Sequence, residues 1–316
     1  MLHFLLRESN NRRMPYGLAL AGHVVIALVL LLGVFKQTEP APVDAASIHP
    51  TRASTFRTWP SASASGVDLC SISSLKRPRD IVGSTSMGVG AMNEGESAEN
   101  GGITAEATDR KLRSESILRA EGVPFIAWLP AIETADEALK RSKEEVALRT
   151  LCLSLVAAKA EGLEQDAVER VLESYGLRPH LSPKELAFVF DNAPSQHDRT
   201  QFIWRHEAAW TLLWALGLVA QLGKPAQICD VEFAAEIVTG RTVSEFIEDS
   251  KLRPIADILD QADLIYRYHW AVRNARIKGQ QIPASLDPGV TEERHYALNW
   301  LIGYMEQAWD DVSTST

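Results

Sequence analysis

Cysteine is scarce in this chain: Cys70, Cys152 and Cys229 are the only three in 316 residues. That is too few for a disulfide framework or a four-cysteine zinc site. The sequence also lacks a glycine-rich nucleotide loop, a nucleophile elbow and a paired metal-ligand motif, so no cofactor and no metal is implied. Positive charge is short as well, with 32 Lys and Arg against 41 Asp and Glu, a net charge of -9. Binding to phosphate backbones needs a basic surface, so nucleic acid is not expected as a partner. No stretch alternates strictly enough, or is β-branched enough, to predict a strand.

A long apolar run is present instead. Residues 17–35 read GLALAGHVVIALVLLLGVF, without formal charge and with one histidine, His23. As a helix at about 1.5 Å per residue this covers roughly 29 Å, the thickness of a hydrocarbon core. Tyr16 stands where an interfacial aromatic belt would be. A signal peptide has a shorter apolar core, about 7–15 residues, and the small-residue pattern Val43-Asp44-Ala45 lies well beyond the run. The expectation is a short tail at 1–16 and a transmembrane helix at 17–35. Arg7, Arg12 and Arg13 precede it and only Lys36 follows closely, which predicts a single-pass protein with a cytoplasmic N-terminus and an exported domain. Translation starting at Met92 would instead give a cytoplasmic chain.

Residues 36–108 contain Pro40-Ala41-Pro42, Ser61-Ala62-Ser63-Ala64-Ser65-Gly66 and Asn100-Gly101-Gly102, with no persistent period. Such a composition cannot bury enough apolar surface to offset the entropy of ordering. It predicts a disordered tether with an r.m.s. reach of about 45–50 Å. Composition changes near residue 109. Residues 1–108 balance nine basic against nine acidic residues, so the whole net charge belongs to 109–316, together with seven of the eight Trp.

Helical period pervades 109–316 and predicts a single all-α, multi-helix globular domain. Helices are expected over 135–160, 164–175, 183–190, 198–222, 243–249, 255–278 and 290–309. Ser182-Pro183-Lys184-Glu185 is a capping box with proline in the first turn, a specific start signal. Gly162, Gly176, Gly223 and Gly279 serve as stops.

Several blocks in this part carry a resemblance. They include RSESIL at 113–118, Leu129-Pro130, WRHEA at 204–208, LWALG at 213–217, ICDV at 228–231, ADLIYRYHWAVRNAR at 262–276, ERHYALNWLIG at 293–303 and WDDV at 309–312. From about Arg110 to the C-terminus the chain resembles the uncharacterised bacterial DUF4272 family. The resemblance implies no activity, ligand or cofactor. Family members look like short cytosolic proteins, so the anchor and tether are departures. The tail Ser313-Thr314-Ser315-Thr316 also lacks an aspartate that the family pattern places near 315.

Polar residues on apolar helix faces are the candidate site. At helical spacing Glu207 lies between Ile203 and the pair Trp210/Trp214, and Glu293 aligns with Ala297 and Trp300. His269 falls within the stripe of Ile258, Ala262, Ile265 and Val272, with Arg273 beside it, while Arg149 falls between Val146 and Leu153. Buried charges must be partnered, and two arrangements satisfy that. One is a salt-bridge network, Arg149 or Arg273 against Glu207 or Glu293, that fixes helix register. The other is a polar pocket in which Glu207, Glu293 and His269 act as acid, base or ligand. Glu292-x-x-His295 is half of a di-iron motif without its second copy, and Trp210 with Trp214 suits a core. The function expected is a membrane-anchored, non-catalytic interaction module with a protein or small-molecule partner. The alternative is a small-molecule enzyme or receptor that uses the polar core.

Overall fold

The computed structural model describes residues 104–316, and every regular element among them is helical. The expected tail at 1–16, span at 17–35 and tether as far as 103 lie outside the described residues. Among the described residues no helix is long and apolar enough to cross a membrane.

Ten α-helices follow in chain order: α1 (Ala105–Ala120), α2 (Lys143–Glu161), α3 (Gln165–Ser174), α4 (Pro183–Phe190), α5 (Gln196–Ile203), α6 (Arg205–Ala215), α7 (Val231–Val238), α8 (Val243–Asp249), α9 (Ile255–Ile277) and α10 (Pro288–Ile302). Short 3₁₀ turns at Tyr304–Glu306 and Trp309–Asp311 close the chain. Five helices pack in the succession α1, α9, α10, α6, α2, and α5 lies against α2. Leu153, Leu212, Leu213, Leu259, Leu298 and Leu301 are almost wholly buried and join the layers into one core.

Local signals set most boundaries. Ser182 accepts from Glu185 N–H while the Glu185 carboxylate accepts from Ser182 N–H, the reciprocal cap expected of α4. Asp230 caps α7, which the sequence reading omitted, by accepting from Phe233 N–H at 3.0 Å. Helix α1 begins at Ala105, ahead of the expected boundary at 109, because Thr104 supplies its cap.

Three expected helices are shorter. The helix expected over 135–160 starts at Lys143, where Ser142 accepts from Glu145 N–H at 3.0 Å. A serine hydroxyl that satisfies the first-turn amides outweighs apolar spacing upstream. Leu139 lies outside the helix, its N–H donating to Ile302 O at 3.0 Å. The helix expected over 198–222 breaks at Trp204 and ends at Ala215. Gly217 then turns with φ 75°, so close to Lys251 O that a Cβ there would lie at 2.8 Å. The helix expected over 290–309 stops at Gly303, whose φ is 67°.

Candidate functional site

The predicted polar residues meet partners other than those expected. Glu207, in the first turn of α6, places Oε2 at 3.2 Å from Arg294 Nε, and its Oε1 accepts the Cys229 backbone N–H. Arg294 also donates from Nη1 to the carbonyls of Leu222 at 2.8 Å and Gly223 at 3.1 Å. One buried pair therefore anchors α10 to α6 and to the irregular segment that follows it. The expected pairing of Glu207 with Arg149 or Arg273 is corrected accordingly.

Glu293, the residue before Arg294, turns to Arg205, with Oε2 at 2.9 Å from Nη1. Burial opposes the Arg205 charge, but Glu293, Tyr296 and Glu185 overcome it and raise its pKa. Burial likewise pushes the Glu293 carboxyl up against the pull of Arg205. Successive helix positions point about 100° apart. Glu293, Arg294 and His295 consequently reach three different partners from one turn.

Arg149 binds Glu185, with Nη1 to Oε2 at 2.5 Å, and donates from Nη2 to His180 O at 2.5 Å. Its guanidinium lies 5.3 Å from the Trp309 ring centroid, and that of Arg205 lies 5.6 Å from the same ring. Arg149 and Glu293 thus belong to one chain of charges, Arg149–Glu185 and Arg205–Glu293, gathered about Trp309.

His269 on α9 meets His295 on α10, the two Nδ1 atoms 2.8 Å apart. Desolvation lowers His269 to about 4 and His295 to about 3. Arg273 adds to the lowering of both, Arg276 adds to that of His269, and the nearby His269 ring adds to that of His295, because the two cannot both take a proton cheaply. Both rings are neutral near pH 7. One carries its proton on Nδ1 and donates, and the other accepts there. Arg273 itself is exposed and forms no ion pair among the described residues.

The two thiols among the described residues are unreactive by the same logic. Burial pushes Cys152 to about 12, and burial with the neighbouring Glu207 pushes Cys229 well up, so neither is a thiolate near neutrality. No group of three His, Cys, Asp or Glu among the described residues could hold a metal ion.

The sequence reading missed a cavity of about 570 Å³ beside Trp309. Trp300 and Trp309 stand edge to face on its wall, ring centroids 5.5 Å apart. Arg141 covers the Trp300 ring at 4.6 Å and Arg149 covers Trp309. Arg141 is fixed by Nε donation to Trp300 O at 3.1 Å and an Nη1 contact with Glu145 at 2.6 Å. Glu306, itself exposed, lines the cavity from a turn in which Met305 and Glu306 have φ of 54° and 55°. The one signal for this site was the pair of tryptophans near the C-terminus, each separated by over 140 residues from the arginine above it.

A model described as a domain of unknown function, DUF4272, matches residues 110–312, from inside α1 to the last 3₁₀ turn. No curated protein and no solved structure matches the chain. With the match running through the whole helical core that holds these ion pairs and the cavity, the chain belongs to the DUF4272 family.

Proposed function

We propose that this chain is a membrane-anchored, non-catalytic binding module. The observation that supports the absence of catalysis is the closure of the acidic core groups, Glu207 on Arg294 and Glu293 on Arg205. A general acid or base must reach the proton it transfers, and a carboxylate held by a buried arginine is stable only while that pair persists. The histidine pair is occupied with itself. The cavity beside Trp309 is instead walled by aromatic rings and arginines, and its volume falls within the range of about 300–1,000 Å³ typical of small-ligand sites.

The anchor rests on residues 17–35, uncharged and matched in length to a bilayer. The excess of arginine before the span favours an exported domain. Fractionation tests the anchor. The full chain should sediment with membranes and be released by detergent but not by high salt; a soluble chain still bearing residues 1–35 would overturn it. Melting of Glu207→Gln tests the closed core. A marked fall in Tm fits a structural pair, whereas an unchanged or raised Tm would assign Glu207 to an active site.

A further inference from the structure

We propose that the cavity beside Trp309 binds a free α-amino acid with an aromatic or large aliphatic side chain. Its carboxylate would lie toward Arg141 and Arg149, its ammonium toward Glu306, and its side chain against the indoles. The wall supplies each of these complements.

Donors come first. Arg149 engages Nη1 with Glu185 and Nη2 with His180 O, which leaves Nε–H without a protein partner among the described residues. Arg141 engages Nε and Nη1, which leaves Nη2. Trp309 is 4% exposed, and its Nε1–H finds no acceptor among the described residues. A buried donor without an acceptor is costly, and a ligand oxygen would relieve it. Both guanidiniums are held over indole rings and so are oriented before any ligand arrives.

The acceptor is Glu306. Its carboxylate has no ion-pair partner among the described residues, unlike Glu145, which Arg141 holds. Glu306 and Met305 both adopt the left-handed backbone that non-glycine residues avoid, and this turn brings the exposed Glu306 to the cavity lining. Such strain persists only where the surroundings impose it, and it concentrates at ligand sites.

Charge selects the class. The lining carries two arginines and two glutamates, with His180 beside them. A plain anion would meet Glu306 and a plain cation would leave the free donors Arg141 Nη2 and Arg149 Nε–H unused, so a zwitterion satisfies both. Apart from Gln307, the remaining wall of Leu139, Leu148, Ala308 and the two indoles is apolar, which favours a large apolar side chain. The proposal deepens the binding-module reading and rests on it.

Calorimetric titration of the full chain in detergent, corrected with empty micelles, tests the assignment with three probes. L-Phenylalanine should bind about tenfold tighter than 3-phenylpropanoate, which lacks the ammonium, or phenethylamine, which lacks the carboxylate. Glu306→Gln alters an exposed, unpaired side chain, so the fold is retained. It should weaken L-phenylalanine by about three- to tenfold and leave 3-phenylpropanoate unchanged or tighter. No saturable heat with L-phenylalanine up to about 10 mM, equal affinity for the three probes, or an unaltered affinity in Glu306→Gln would overturn the proposal. A failed titration leaves the anchor and the closed core pairs standing. Conversely, a chain found soluble removes the anchor without touching this site.

Discussion

Arg294 closes on Glu207 in a place where the two side chains are 4% and 2% exposed, 3.2 Å apart between Nε and Oε2. Glu207 Oε1 also accepts the Cys229 N–H, and Arg294 Nη1 donates to the carbonyls of Leu222 and Gly223. Two buried charges cost much to desolvate, and these partners offset it. The pair ties three separate segments of the domain together.

Removing one partner should therefore be severe. Glu207→Ala leaves Arg294 buried and uncompensated, with an expected loss of about 3–5 kcal/mol. Glu207→Gln keeps the shape and should lose less. Denaturant melts followed by circular dichroism measure both, and an Ala variant as stable as the parent would contradict the closed pair.

The histidine pair predicts acid sensitivity. An unfolded His takes its proton near pH 6.5, whereas folded His269 does so at about 4 and His295 at about 3. Between these values the unfolded chain binds more protons, so stability is complete above about pH 6.5 and falls as pH drops toward 4. Tm measured across this window should decline in the parent. The decline should be shallower in a His269→Leu/His295→Leu double variant, and equal slopes would contradict the reading.

Gly303 is a second sensitive point. Its φ is 67°, and a Cβ built there would lie 2.2 Å from Leu139 Cβ. Gly303→Ala combines a left-handed backbone with overpacking, for an expected loss of about 2–5 kcal/mol. Leu139 also lines the cavity, so binding should weaken with stability. A melt within about 0.5 kcal/mol of the parent would be incompatible with this close approach.

At the start of α4, Ser182 Oγ serves two roles, accepting from Glu185 N–H and donating to Asp310 Oδ1 at 2.6 Å. Asp310 Oδ2 also accepts the Lys184 N–H at 2.9 Å. Ser182→Ala removes a cap and a clasp on the C-terminal turn, with an expected loss of about 1–2 kcal/mol. Asp310→Ala should act in the same direction by loosening the turn that carries Trp309.

The fragment 104–316 should fold alone, with a helical spectrum and one cooperative melt. It should exceed 109–316 in stability, because the shorter piece lacks the Thr104 cap and the Glu106 carboxylate 2.5 Å from buried Arg110. Equal Tm values for the two fragments would show that the first turn contributes nothing.

What the sequence determined by itself was short-range. Period 3.6 specifies an all-helical chain, Ser182-Pro183-Lys184-Glu185 specifies where α4 begins, and blocks such as ERHYALNWLIG carry the family. These features depend on residues within one or two turns, whose geometry is the same wherever the helix ends up. Period also indicated that Glu207 and His269 face inward, and both are buried. It could not say what they face. Glu207 meets Arg294 across 87 positions, Arg205 meets Glu293 across 88, and Arg149 meets Glu185 across 36. The break at Trp204 has the same origin. Its indole lies against Gly289 at the start of α10, where any Cβ would fall 2.3 Å from the ring. Only the packed helices decide such pairings, because a buried charge takes whichever partner the neighbouring helix brings within reach, and helical period carries no information about that neighbour.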